Sequence, residues 1–353
     1  MAWRVEIQKQ VFTFGFQAKT SRGSMKTKDS WFVKLWDDGN PEVVGIGECG
    51  PLPGLSVDAV PHYESVLKNW ANHVNNTTIT PEEIEASIPV GFPSIRFGVE
   101  TALRDWQNGG KRIIFNNDFV TGRSIPINGL VWMGDAEFTI NQIKEKVNQG
   151  FRCIKIKIGG LDFAQECAIL QYLRETFADE SIELRLDANG SFREDIVFER
   201  LNTLSKFNPQ SIEQPLPVGS ALLPRVCAAS PFPIALDEEL IGVESIAEKQ
   251  ALLHCVKPAF IILKPSLHGG IAGCKAWIDI AESMNIGWWI TSALESNIGL
   301  NAICQFTAEY NVSIPQGLGT GGIYTNNIPA SLTVKNGHIY HDSAKRWDVF
   351  TLL

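Results

Sequence analysis

FRCIKIKIGG (151–160), LRLDANG (184–190), SIEQP (211–215), IALDEEL (234–240) and IILKPS (261–266) are five short runs of one kind. Each is an apolar stretch of strand character that ends on charge: Lys155 and Lys157, then Asp187, Glu213, Asp237 and Lys264. Counted from Lys157, successive charges stand 30, 26, 24 and 27 residues apart. A βαβ unit takes about 30 residues, so these groups rise from successive parallel strands, each followed by room for one crossover helix. In a barrel of such units, chemistry is assembled at the C-terminal strand ends. Three acids flanked by lysines at one barrel mouth do not solve a packing problem.

The rhythm extends on both sides of this block. IPINGLVW, CIKIKI, IELRLDA, SIEQP, PIALDE, FIILKP, GWWITSA and VSIPQGL give eight strand candidates, with helical patterns such as DAEFTINQIKEKVNQG between them. Their cores are apolar rather than alternating, the mark of a parallel sheet covered by helices, and closing it into a barrel is the natural solution. Before residue 124 the pattern differs. AWRVEIQKQVFTFGFQ, DSWFVKLWDDG and EVVGIGEC alternate as antiparallel strands. SRGSMKTK reads as a polar, basic loop between the first two, and GPLPGLS as a restricted Pro/Gly loop after the third. Helical patterns follow over Val57–His73, from Thr80-Pro81, where Thr80 is the expected cap, and over Ser94–Trp106. This is a small α+β domain. SLTVKNGHIYHD near the C-terminus reads as a hairpin with an Asn-Gly turn, expected to pack back on the N-terminal domain.

The chain has 353 residues, 44% of them apolar and 20% charged, enough for one large barrel plus a smaller domain. A net charge of −8 argues against nucleic acid or an anionic membrane as partner. It leaves room for a small anionic substrate, because a bound metal can reverse the local field. Seven dispersed cysteines without a CxxC pair read as reduced thiols of a cytoplasmic protein. No targeting segment or membrane span is expected, and the oligomeric state stays open. The six histidines form no metal-spaced cluster; only His268 lies near the barrel mouth, where Gly269 and Gly270 are expected to shape a turn.

Asp187, Glu213 and Asp237 can converge on one hard divalent cation, and oxygen ligation without His or Cys suits Mg2+ or Mn2+. Any one of these acids alone reads equally well as a helix cap. Residues two apart in a strand face the same side, so Lys155 and Lys157 point together. Inward is favoured, because burying two ammoniums against helix stems is costly. There a neighbouring ammonium and a cation both disfavour a proton on Lys157, as a general base needs. A base beside a metal held by three carboxylates points to proton abstraction α to a carboxylate.

KIKIG, LDANG, IEQP, LDEE and LKPS in this order resemble the enolase superfamily, in its muconate lactonizing enzyme-like subgroup. GIGECGPLPGLS, INGLVW, LDEEL and ITSALESNIGL resemble the menaquinone-pathway dehydratases within it. The resemblance covers nearly the whole chain. It implies an α/β fold, a modified TIM barrel (β/α)7β with an α+β capping domain. The capping domain would span residues 1–122, the barrel 123–318, and a C-terminal segment 319–353. It further implies that Asp187, Glu213 and Asp237 ligate Mg2+, with Mn2+ as a substitute. Lys157 would remove the α-proton and then help hydroxide leave from the same face. Lys264 would face the enolate as a cation, and Lys155 would keep Lys157 ready to take a proton. Asn189 and Glu238 would hold these groups in place. The loop Gly50-Pro51-Leu52-Pro53-Gly54 and the Ser21–Lys28 loop would close over the substrate, and Ser292 would help hold its succinyl chain.

The implied reaction is a lyase reaction: syn-dehydration of a succinyl-bearing hydroxycyclohexadiene carboxylate to an aromatic product. N-succinylamino acid racemases and dipeptide epimerases use the same scaffold and are the rival reading. Dipeptide epimerases carry Asp-x-Asp after the eighth strand; IPQGLGTGGIY here has no acid. A non-catalytic barrel would need the metal and base positions to be replaced, and all six are present.

Overall fold

The structure, a computed structural model, describes residues 2–20, 23–178 and 181–349. Its first sheet holds three antiparallel strands, β1 (Trp3–Thr20), β2 (Gly23–Asp37) and β3 (Gly45–Cys49), in that order. Side chains of a strand alternate between faces, and this sheet uses both. Trp3, Val5, Val33, Leu35 and Cys49 pack with the helices α1 (Tyr63–Asn75), α2 (Pro81–Ala86) and α3 (Pro93–Gln107). Phe12, Phe14, Phe32 and Ile46 pack instead with Trp132, Leu294, Ile298 and Tyr324 from the rest of the chain. β1 serves the two cores in turn, burying odd positions at Trp3 and Val5 and even positions from Phe12 onward.

The helices press closely on β3. A Cβ on Gly47 would stand 1.8 Å from the Gly98 carbonyl oxygen, and one on Gly45 2.0 Å from that of Ala102. Only glycine permits that approach. Thr80 and Glu83 form the expected capping box at α2. α1 starts at Tyr63, later than the apolar pattern implies, because Pro61 disfavours helical backbone just before it.

The polar stretch 21–28 differs from expectation. From Gly23 onward it is strand, paired with β1 through Lys28↔Phe12, Thr27↔Thr13 and Thr20↔Gly23; Ser21 and Arg22 lie outside the described residues. An ordered partner strand overrides the weak local preference of a polar segment.

The second unit runs β4 (Ile125–Pro126), β5 (Gly129–Val131), α4 (Ala136–Asn148), β6 (Cys153–Lys157), α5 (Phe163–Thr176), β7 (Glu183–Asp187) and α6 (Val197–Leu204). It continues with β8 (Ser211–Glu213), α7 (Leu223–Ala229), β9 (Ile234–Leu236), α8 (Ile246–Val256), β10 (Phe260–Leu263), α9 (Gly270–Ser283), β11 (Gly287–Ile290) and α10 (Asn297–Thr307). Strands β5 to β11 form one parallel sheet in chain order. The expected eighth strand, VSIPQGL, is reduced to two parallel bridges, Gln316 to Ile127 and Gly317 to Thr291. Pro315 supplies no N–H to a ladder, yet Gln316 N–H still donates to Pro126 and Gly317 N–H to Ile290, both at 2.8 Å. These bonds join β11 back to the first stave. The architecture is the modified TIM barrel with an N-terminal capping domain.

The C-terminal hairpin, β12 (Leu332–Lys335) and β13 (His338–His341), turns at Asn336 and Gly337, both at positive φ as its two-residue turn requires. β13 pairs with β4, so the hairpin itself docks on the start of the barrel. The expected return to the capping domain is made by its flanks, Tyr324 and Ile328 before it and Trp347 and Val349 after it. All seven cysteines are free. No helix among the described residues is long and apolar enough to cross a membrane.

Candidate active site

Strand alternation sorts the barrel staves. Ile154, Ile156, Leu184, Leu186, Ile212 and Ile234 join the core shared with the outer helices. Their neighbours Lys155, Lys157, Asp187 and Glu213 therefore face the interior, as the cost of burying ammoniums against helices predicts. The register aligns Lys157 with Asp187 and Asp187 with Glu213 across three strands. Beneath this ring the Arg185 guanidinium lies 4.3 Å from the centre of the Trp289 ring and donates to the Pro315 carbonyl at 2.8 Å. That buried pair floors the barrel.

Lys155 Nζ stands 3.0 Å from Asp187 Oδ2 and also pairs with Glu213. Lys157 Nζ is 2.9 Å from Asp187 Oδ2 and 2.8 Å from Asn189 Oδ1. Lys264 pairs with Asp237. Asn189, at a left-handed φ of 45°, donates to Glu238 Oε1 at 3.0 Å, so one side chain joins the base candidate to Glu238. Lys155, Lys157, Asp187, Glu213, Asn189 and Glu238 are thus one bonded network, and the Lys264–Asp237 pair faces it through the charges of Lys155, Glu213 and Glu238.

Burial pushes the Asp187 carboxyl up, but Lys155 and Lys157 outweigh that and hold it well below the usual range. Glu213 goes the other way: burial, then the Asp187 charge, push it up to about 8 against the pull of Lys155. For Asp237, burial is outweighed by Lys264 and Lys155, and its carboxyl is lowered. Burial lowers Lys264 and Lys155, and the carboxylates beside them more than reverse it. Carboxylates crowded in a dry site cannot all ionise on equal terms.

As placed, no three His, Cys, Asp or Glu side chains among the described residues gather closely enough to hold a metal ion. Asp187, Glu213 and Asp237 close on the ammoniums of Lys155 and Lys264 instead. Their chemistry still fits a hard divalent cation. Glu213 Oε1 and Asp237 Oδ1 are buried without a hydrogen-bond partner among the described residues, and the donor set is all oxygen. A doubly charged ion is also what would keep Glu213 ionised.

A cavity of about 290 Å³ opens above the cluster, lined by Lys155, Lys157, Asp187, Asn189 and Lys264 from the barrel. From the cap, Leu52, Pro53 and Gly54 line it together with Gly23, Ser24 and Met25 at the β1–β2 hairpin tip. Pro51 is buried and does not line it. Ser292 does, but its hydroxyl bonds Glu295 Oε2 at 2.5 Å.

Three contributors escaped the sequence reading. Asn128 Oδ1, Thr291 Oγ1 and Thr320 Oγ1 are buried at the cavity without a hydrogen-bond partner among the described residues. Asn128 sits in INGLVW and Thr291 at a strand end, so position could have flagged them; Thr320 carries no local signal. His268, which the sequence already placed near the barrel mouth, also contributes. Its Nδ1 accepts the Lys264 backbone N–H at 2.9 Å, and burial pushes its imidazole down to about 3, so it is neutral. It steadies the strand end that carries Lys264, while Gly269 and Gly270 take positive φ in the turn beyond, as expected.

A barrel whose strand ends carry Lys-x-Lys, three acids and an opposed Lys under a two-layer cap defines an enolase-type enzyme. Residues 139–344 match the family described as enolase C-terminal domain-like, and the chain belongs to that family. It is 41% identical to the o-succinylbenzoate synthase of Desulfotalea psychrophila over 91% of this chain and 94% of that one. The crystal structure of MenC from the same organism superposes with a TM-score of 0.86, at 38% identity, covering 96% of this chain and 100% of that one. The L-Ala-D/L-Glu epimerase of Bacillus subtilis is 26% identical over 82% of this chain and 80% of its own. A dipeptide epimerase from Enterococcus faecalis, complexed with Mg and the dipeptide L-Leu-L-Tyr, shares the fold, with a TM-score of 0.83 at 18% identity, covering 98% of each chain.

Proposed function

We propose that the chain is a Mg2+-dependent o-succinylbenzoate synthase of menaquinone biosynthesis. It would convert 2-succinyl-6-hydroxy-2,4-cyclohexadiene-1-carboxylate to 2-succinylbenzoate by syn-elimination of water. The observation that supports this best is the meeting of Lys157 and Lys264 with Lys155, Asp187 and Asn189 around one cavity. The much higher identity to a synthase than to an epimerase points the same way, as does the acid-free wall at Gly317, Gly319 and Thr320.

In this reading Lys157 Nζ takes the proton from the carbon bearing the carboxylate. Asn189 and Asp187 hold its Nζ at 2.8 and 2.9 Å, and it would lie on the substrate face from which hydroxide leaves. The same Lys157 proton then goes to the departing hydroxide, the C–O bond breaks, and the ring becomes aromatic. Microscopic economy of this kind needs one acid/base group, not two. Lys264 faces the ring from the other wall as a fixed positive charge. Asp187, Glu213 and Asp237 would hold Mg2+, or Mn2+ in its place, and the bound cation supplies positive charge where the substrate carboxylate gains negative charge. Asn128, Thr291 and Thr320 would offer hydrogen bonds, and Ser292 would help hold the succinyl chain. The cap (residues 1–122) would cover the barrel (123–318), with 319–353 binding the two together. Such an enzyme works in the cytoplasm on a small anionic carboxylate and needs neither nucleic acid nor membrane.

The test is to add the succinyl cyclohexadiene carboxylate to the purified protein and follow the diene absorbance. Loss of the diene that needs Mg2+ and stops with a chelator is expected. A persistent diene, with racemization of an N-succinylamino acid in its place, would reject the reading.

A further inference from the structure

Behind the cavity wall lies a polar cluster that the proposed chemistry does not use. Ser30, Glu48, Glu295 and Ser296 are wholly buried, and Lys28 is nearly so. The two carboxylates are served very differently. Glu48 accepts two backbone N–H groups, from Ser296 at 2.9 Å and Gly299 at 3.0 Å, and two hydroxyls, from Ser30 at 2.7 Å and Ser296 at 2.5 Å. Lys28 Nζ reaches the same Ser30 hydroxyl at 3.2 Å. Glu48 is thus supplied with four donors from the protein. Glu295 has only two hydroxyls, Ser266 on Oε1 and Ser292 on Oε2 at 2.5 Å. Among the described residues no N–H and no ammonium bonds it. A buried carboxylate so poorly supplied is costly as an anion.

The two hydroxyls belong to functional strand ends. Ser266 lies two residues beyond Lys264, and Ser292 lines the cavity. If both serines donate to Glu295, Ser292 has no proton for the cavity. Its Oγ already accepts from Leu294 N–H at 3.1 Å. With the proton on Glu295 Oε2, the carboxylic acid donates to Ser292 Oγ, and the serine hydroxyl is free to donate outward. The heavy-atom positions serve either arrangement.

We propose that Glu295 is a positioning residue that must hold a proton for Ser292 to donate a hydrogen bond to an anionic group of the substrate. This rests on the reading above that the cavity takes a carboxylate-bearing substrate. The charged and titratable groups facing Glu295 are Lys28 on β2, Glu48 on β3, Cys274 on α9 and Tyr324 in the C-terminal segment. Burial raises the Glu295 carboxyl; the Ser266 and Ser292 hydroxyls and Lys28 oppose that, and Glu48 adds to it. Binding is therefore strongest while Glu295 is neutral and weakens as pH rises through its titration.

Glu295→Gln separates this from a merely structural role, because its amide donates to Ser292 and accepts from Ser266 at every pH, as the neutral acid does. The experiment is KM against pH, across the whole range in which the fold holds, for wild type, Glu295→Gln and Glu295→Ala. Wild-type KM is expected to rise by about tenfold more than that of Glu295→Gln across this range. Glu295→Ala should be about tenfold weaker than Glu295→Gln at the acidic end, with kcat less affected. Superimposable KM profiles for wild type and Glu295→Gln would overturn the inference, and they do so even where Glu295→Ala fails to fold. Should wild type turn over no substrate at any pH, the functional reading fails instead. Calorimetric binding of 2-succinylbenzoate to wild type and Glu295→Gln over the same range then decides the role of Glu295: a pH dependence confined to wild type upholds it, and parallel profiles reject it.

Discussion

Asn189 accepts from Lys157 Nζ at 2.8 Å through Oδ1 and gives its amide N–H to Glu238 through Nδ2. A long, flexible ammonium stem is thereby fixed by a short residue whose left-handed backbone turns it back over the strand ends. Asn189→Ala removes the acceptor and one donor to Glu238. Groups that orient a reacting residue from behind are worth about 10–100-fold in activity. kcat should fall by that factor while KM changes little, measured by steady-state kinetics. A kcat within twofold of wild type would show that Lys157 needs no such support.

Glu213 ends its strand in register with Asp187, and one of its oxygens has no hydrogen-bond partner among the described residues. Glu213→Gln takes away a charge from the donor set. The Mg2+ concentration for half-maximal activity should rise by at least about tenfold, read from a Mg2+ titration of activity. An unchanged titration removes Glu213 from the ligands.

Glu100 on α3 caps the start of α9 by accepting the Ile271 N–H at 2.6 Å. Burial, against that bond and the Arg96 charge, pushes its carboxyl from 4.5 up to about 7. The folded protein thus holds this proton more tightly than the unfolded chain does. Stability falls as pH rises from about 4.5 to about 7 and stays at the lower level above. Glu100→Gln keeps the acceptor without the charge. Wild type and variant should be equally stable near pH 4.5 and separate above pH 7, the variant ahead by about 2–3 kcal/mol. Urea melts across that range check this; parallel curves would contradict it.

Gly47 sits where β3 meets α3, with no room for a Cβ beside the Gly98 carbonyl. Gly47→Ala should cost about 3 kcal/mol by forcing the helix off the sheet. The urea midpoint should fall with an unchanged slope. A midpoint equal to wild type would mean the helix yields freely.

The barrel and the placement of its strand-end charges were legible because both depend on local pattern. Apolar strand runs at βαβ spacing place Lys157, Asp187, Glu213, Asp237 and Lys264 on adjacent staves whatever the details of packing. Alternation within CIKIK then turns both lysines inward. What stayed hidden depends on distant partners. The polar arm from Gly23 to Lys28 is strand because β1 lies beside it. The eighth stave reads as a full strand, yet Pro315 leaves it only bridges. Glu48 and Glu295 gain their meaning by meeting across the seam between cap and barrel, through Ser296, 248 residues from Glu48. Pro51 belongs to a cavity loop by sequence but turns inward, whereas Asn128 and Thr320 become ligand-facing only once the barrel closes.

The account stands most directly on Lys157 as the group that takes the proton. Lys157→Ala and Lys157→Arg should each lose turnover of the succinyl cyclohexadiene carboxylate by at least about a thousandfold, with the circular dichroism spectrum and Mg2+ binding of wild type retained. Either variant keeping activity within about tenfold of wild type would contradict it.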